Sequence, residues 1–213
     1  MTDPLPPLAL AALICAIAYL PLTGKPPGRL RSGLKTSAVA LLAISAALSG
    51  APPLLSIALA LCALGDYLLA RETETGFMAG VGAFATGHIA YAALFLSLPG
   101  SDPALLFTGL RLVVVIGLIA LGLVMARVLG TRAGDLAGPV LAYIPIILGM
   151  GFAAATLPAL PVLIAALTFI ASDFILAVDK FLMPADHPVR RWAGYSVWVL
   201  YWGAQFGFYA GLT

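Results

Sequence analysis

The stretches LAGPVLAYIPIILGMGFAAAT (136–156) and LPVLIAALTFIASDFILAV (160–178) are two apolar runs parted only by Leu157, Pro158 and Ala159. Each is close to the ~20 residues with which one helix crosses a bilayer. The Pro-bearing break between them marks a tight turn, so the pair reads as two antiparallel membrane helices. The same reading extends outward. Apolar runs at residues 8–22, 34–49, 54–70, 77–98 and 105–129 precede the pair and one at 192–212 follows it, each bounded by Pro, Gly or charge. The pattern predicts an all-α polytopic membrane protein of eight transmembrane helices, with residues 1–213 as a single transmembrane helical domain.

Composition supports this and removes other classes. The chain is 62% hydrophobic and 9% charged, against about 25% charge in soluble domains. Too few charges remain to clothe a water-soluble surface. Cys15 and Cys62 lie in apolar runs without a CxxC or Cys/His pattern, so neither a disulfide framework nor a zinc site is expected. No basic stretch precedes the first apolar run, which therefore reads as a retained anchor rather than a cleavable signal. Lys25, Arg29, Arg31, Arg71, Arg127, Arg132, Lys180, Arg190 and Arg191 fall in or beside the connections after helices one, three, five and seven. By the positive-inside rule those connections are cytoplasmic and both termini are non-cytoplasmic. The cations are thereby explained without nucleic acid. Arg111 alone breaks the pattern; either its helix starts near Leu112 or its side chain snorkels.

Gly65-Asp66-Tyr67-Leu68-Leu69-Ala70 and Ser172-Asp173-Phe174-Ile175-Leu176-Ala177 share the order small, Asp, aromatic, aliphatic, Leu, Ala. A four-helix period would make the chain two parallel four-helix repeats and set the two acids at the same depth. With a rise of about 1.5 Å per residue, Asp66 and Asp173 lie roughly 6 to 9 Å from the cytoplasmic ends of their helices. Lys35 falls in the first turn of helix two, Tyr143 about 10 Å into helix six, and His88 about 16 Å into helix four with Tyr91 a turn beyond. Tyr201 and Gln205, one turn apart on helix eight, are as deep or deeper. Ionisable groups inside a bilayer cost a few kcal/mol and are candidates for function. Measured from one face, all of these residues can line a single cavity open to the cytoplasm. Structural roles compete at each position: snorkelling for Lys35, packing ion pairs with Lys35 or Arg71 for the two acids, close helix packing for His88, and core or belt positions for the tyrosines and for Trp192, Trp198 and Trp202.

Lys35-Thr36-Ser37, Gly65-Asp66, the stretch from Phe77 through Gly87-His88 to Tyr91, Ala171-Ser172-Asp173, and Tyr201 with Gln205 stand in that order on eight apolar segments. This set resembles the YhhN family of membrane proteins, whose animal members are the lysoplasmalogenases. The resemblance covers almost the whole chain. It implies hydrolysis of the vinyl ether bond of lysoplasmalogens to a fatty aldehyde and glycerophosphoethanolamine or glycerophosphocholine. It also implies that Asp66 and Asp173 are the catalytic pair. Depth along the helices adds Lys35, His88, Tyr91, Tyr143, Tyr201 and Gln205 as expected substrate-binding residues.

That reaction needs a general acid to protonate the vinyl β-carbon, an anion to stabilise the resulting oxocarbenium ion and orient water, and a dry enclosure. This is the two-carboxylate chemistry of glycosidases applied to another ether, and it needs no metal or organic cofactor. The expected partners are a lysophospholipid substrate and membrane lipid, with the phosphate received by Lys35 or by Arg29, Arg31 or Arg191. The main alternative is a proton-coupled small-solute or lipid transporter, which also uses buried charges, glycine-rich helices and repeats. An aspartyl intramembrane protease fits less well, since Ala63-Leu64-Gly65-Asp66 lacks a GxGD pattern, and a non-catalytic scaffold is a third alternative. The Ala/Leu/Gly-rich composition and short loops point to a bacterial inner membrane rather than an endoplasmic reticulum.

Overall fold

The computed structural model describes residues 5–71, 73–184 and 186–213. Residues 1–4, which bear on the reading of the amino terminus as a retained anchor, lie outside the described residues. The described residues form eight α-helices and no strand: α1 (Pro7–Tyr19), α2 (Arg29–Leu48), α3 (Pro53–Leu69), α4 (Glu74–Ser97), α5 (Gly109–Arg132), α6 (Ala137–Ala155), α7 (Leu160–Phe181) and α8 (Arg190–Leu212). Four are long and apolar enough to cross a membrane: α4, α5, α7, and α6 with the short turn before it. α1 and α3 are shorter apolar helices. Successive helices pack against each other except α4 and α5; α4 instead meets α6, and α8 returns to α2 and α3.

Two expected boundaries move. α2 starts at Arg29 rather than Leu34, so Lys35 lies in its second turn rather than its first. Hydropathy marks only the apolar part of a helix, whereas backbone hydrogen bonding continues into the interface where long cationic stems reach water. α5 starts at Gly109 rather than Leu105, because Pro103–Phe107 forms a separate 3-10 turn and Gly109 takes a positive φ of 46°. Arg111 is then in the first turn of α5, and its guanidinium donates to the carbonyls of Leu157 (2.9 Å) and Pro158 (3.1 Å) in the α6–α7 turn. It ties the start of α5 to that turn, at the end of the bundle opposite the other cations.

Apolar helices gain little from one another's hydrophobicity in lipid, so small side chains and side-chain hydrogen bonds hold them together. Ala9, Ala12 and Ala16 form a buried stripe on α1. A Cβ at Gly65 would stand 2.6 Å from the Phe84 ring, and one at Gly207 would stand 2.9 Å from the Cβ of Ala165. These contacts bring α3 onto α4 and α8 onto α7. Trp198 Nε1 donates to the carbonyl of Ala16 (3.1 Å) and Trp202 Nε1 to that of Ala38 (3.0 Å), tying α8 to α1 and α2. Trp198 is therefore a buried fixing residue, while Trp192 is exposed. Ser45 and Tyr209 add a buried hydroxyl bond of 2.8 Å between α2 and α8.

Gly207→Val should destabilise the fold by about 1–3 kcal/mol through overpacking. Gly82, with nothing within 4 Å of an added Cβ, should accept alanine without loss. Thermal unfolding in detergent checks both: a lowered midpoint for Gly207→Val, and an unchanged or raised one for Gly82→Ala.

Candidate active site

The packing of α8 across α2 and α3 determines what Asp66 meets. Asp66, on α3, is 1% exposed. Its Oδ1 lies 2.9 Å from Nζ of Lys35 on α2, and its Oδ2 accepts a 2.6 Å hydrogen bond from Tyr201 on α8. Three helices thus converge on one carboxylate, each contributing one group. Arg71, the other proposed partner, turns instead to Tyr67, donating to its hydroxyl at 2.7 Å and lying over its ring. Asp179 pairs with Arg190 at 3.1 Å, joining the ends of α7 and α8.

Asp173, on α7, is reached from the other side. Tyr143 on α6 donates a short hydrogen bond to its Oδ2, and the same hydroxyl lies 3.3 Å from Nδ1 of His88 on α4. Because the tyrosine has one proton and it goes to the carboxyl, any bond at Nδ1 requires His88 to be the donor. Ser172, beside the acid, donates to the carbonyl of Val197 at 3.0 Å and holds this part of α7 to α8.

Both acids line one cavity of about 790 Å³, as do Lys35, Tyr143 and Tyr201. Its mouth draws on the four connections that carry the cations, with Thr23, Thr73, Glu74, Leu136, Lys180 and Arg191 among its residues. Away from the mouth the wall is apolar, with Leu121, Met125, Ile144, Ile147 and Leu148 from α5 and α6. One end of the space is therefore charged, the middle holds two carboxyl groups and two phenols, and the flank suits a hydrocarbon chain.

His88, Tyr91 and Gln205 were expected among the substrate-binding residues, but they do not line this cavity. For His88, aromatic packing stands between. The rings of Phe84 and Tyr201 face the cavity, Phe169 packs edge-on against both, and His88 packs against Phe169 at 4.6 Å. His88 reaches the site only through Tyr143. Tyr91 donates to Oε1 of Gln205 at 2.5 Å deeper in the bundle, a buried hydrogen bond between α4 and α8. Phe84 and Phe169 were not picked out from the sequence. The available signal was spacing, for each lies one helical turn from a polar site residue, Phe84 from His88 and Phe169 from Asp173. No cluster of three His, Cys, Asp or Glu that could hold a metal occurs among the described residues.

The family model for YhhN matches residues 30–212. The chain belongs to the YhhN family. A comparison with curated proteins finds no match, and neither does one with solved structures. With four helices able to cross a membrane, this YhhN-family chain is an integral membrane protein. The matched span takes in α3 through α8 whole and α2 from its second residue, and so includes Lys35, Asp66, Tyr143, Asp173 and Tyr201, while Thr23 at the mouth lies before it.

Removing one member of a buried ion pair leaves the other charge uncompensated, at a cost of about 3–5 kcal/mol. Lys35→Met should therefore lower the unfolding midpoint in detergent strongly. The double variant Lys35→Met/Asp66→Asn should recover most of that loss, and equal destabilisation of the two would contradict the pairing.

Proposed function

We propose that this YhhN-family protein is a membrane-embedded hydrolase that cleaves the vinyl ether bond of lysoplasmalogens. The products are a fatty aldehyde and glycerophosphoethanolamine or glycerophosphocholine. The observation that carries this reading is the placement of Asp66 and Asp173, from different helices and with different partners, on one cavity that is cationic at its mouth and apolar along its flank. A lysophospholipid has that same order of parts. Its phosphate would lie at the mouth near Lys180 and Arg191, its single chain along α5 and α6, and the bond between head and chain beside the two acids.

The chemistry then follows from the site. A carboxylic acid delivers its proton to the vinyl β-carbon, and the ether oxygen shares its lone pair with the α-carbon to give an oxocarbenium ion. The neighbouring carboxylate stabilises that cation electrostatically. Water adds to the α-carbon and passes a proton to the carboxylate vacated in the first step, giving a hemiacetal. The hemiacetal hydroxyl loses its proton as the carbon–oxygen bond to glycerol breaks, and the glyceryl oxygen takes up a proton. The apolar wall limits competing water.

The eight helices are read as eight membrane spans, with both termini non-cytoplasmic and the cavity mouth facing the cytoplasm of a bacterial cell. The gathering of the α1–α2, α3–α4, α5–α6 and α7–α8 connections at the mouth supports this orientation, because they hold the Lys and Arg excess.

Purified protein should release aldehyde from a vinyl ether lysophospholipid and none from its ester-linked counterpart. Asp66→Asn and Asp173→Asn should each lower that turnover at least about 100-fold, the lower range of general acid–base contributions. Unchanged turnover in either folded variant would exclude the two-acid mechanism. Orientation has its own check: in intact bacteria, an impermeant thiol reagent should label Ala104→Cys and should label Arg132→Cys only after permeabilisation.

A further inference from the structure

The two acids occupy the same place in the two halves of the chain. Asp66 is the fourteenth residue of α3 and Asp173 the fourteenth of α7. Their donors match as well, since Lys35 is the seventh residue of α2 and Tyr143 the seventh of α6. The pairs Lys35–Asp66 and Tyr143–Asp173 are thus one contact of a four-helix unit made twice, with a cation in the first copy and a phenol in the second. The residue before each acid faces the following helix of its own half, Gly65 against Phe84 of α4 and Ser172 against Val197 of α8.

One donor has no counterpart. Tyr201 is the twelfth residue of α8, and the twelfth of α4 is Ala85, which has no hydrogen-bonding side chain. The halves therefore hold their acids differently. On Asp66 both oxygens are engaged, Oδ1 in an ion pair with the ammonium of Lys35 and Oδ2 as acceptor from the hydroxyl of Tyr201. A carboxyl group engaged in that way is an acceptor only, which is the ionised form. Asp173 meets a single neutral donor among the described residues, and that donor occupies Oδ2. Its other oxygen is left for a proton, on a group that lines the cavity.

We propose that Asp173 is the proton donor and Asp66 the permanent anion, the roles being divided by the replacement of a lysine with a tyrosine between the two copies. This assignment rests on the vinyl ether hydrolase reading for its chemistry. The proton on Asp173 passes to the β-carbon and breaks the carbon–carbon π bond. The Asp173 carboxylate so formed takes the proton of the water that adds to the α-carbon, which restores the acid. Asp66 stays ionised throughout and faces the cation. Tyr143 is a positioning residue, because its hydroxyl fixes Oδ2 as the acceptor and leaves the acid proton on the other oxygen.

Infrared spectroscopy of the detergent-purified protein at neutral pH tests this without substrate, so a failure of the hydrolase reading leaves the result interpretable. The carbonyl stretch of an un-ionised carboxylic acid should be present, should be lost in Asp173→Asn, and should persist in Asp66→Asn. Where an asparagine variant fails to fold, the tyrosines decide the matter: Tyr143→Phe should displace the band and Tyr201→Phe should leave it in place. A wild-type spectrum without the band, a band lost in Asp66→Asn but kept in Asp173→Asn, or a band displaced by Tyr201→Phe and not by Tyr143→Phe would each overturn the assignment.

Discussion

A carboxylate among apolar helices must be met by donors or it will not ionise there, and Asp66 is met by Lys35 from α2 and Tyr201 from α8. To satisfy it, the last helix of the chain has to return to the second and third. The indole bonds of Trp198 and Trp202 to the backbones of α1 and α2 fix that return, and the Ser45–Tyr209 bond repeats it deeper in the bundle. The arrangement of α8 across the first half is therefore tied to the chemistry of one acid. A fully apolar replacement of that cluster could pack as well or better, so stability alone does not account for a charge here.

The second acid is held with less. Asp173 has a phenol, and behind the phenol an imidazole, where Asp66 has an ammonium and a phenol. Two carboxyl groups of one type, placed on one cavity but given unlike surroundings, are what a reaction needing both an acid and an anion demands. The cavity has the order of parts of a single-chain phospholipid, and its polar residues lie toward the end where the cationic connections gather. A carrier with access from both faces would require polar groups along its whole length. At the opposite end of the bundle, Arg111 binds backbone carbonyls of the α6–α7 turn and does not line the cavity.

Much of this was legible in the sequence. Apolar run length located all eight helices, and the alternation of Lys and Arg between connections anticipated which loops share an end. The cost of burying charge singled out Asp66, Asp173 and Lys35, and the structure brings all three to one cavity with Tyr143 and Tyr201. Other features were not legible, for physical reasons. Hydropathy could not locate the amino end of α2, because arginines in a helix at an interface look like loop residues. Depth along a helix axis says nothing of the direction in which a side chain points. His88, Tyr91 and Gln205 thus do not line the cavity, and His88 packs instead against the Phe169 ring. The equivalence of Lys35 and Tyr143 was hidden because the two residue types share no chemistry. Only their helix positions and their contacts with the two acids reveal it.

The central claim is that a proton moves from a carboxylic acid of this site to carbon rather than to oxygen. The test is turnover of a vinyl ether lysophospholipid in deuterium oxide enriched in oxygen-18, with the aldehyde trapped as it forms. One deuterium is expected on the carbon next to the aldehyde carbonyl, with the original ether oxygen retained in the glyceryl product. An aldehyde without that deuterium, or a glyceryl product that has taken its oxygen from water, would contradict it.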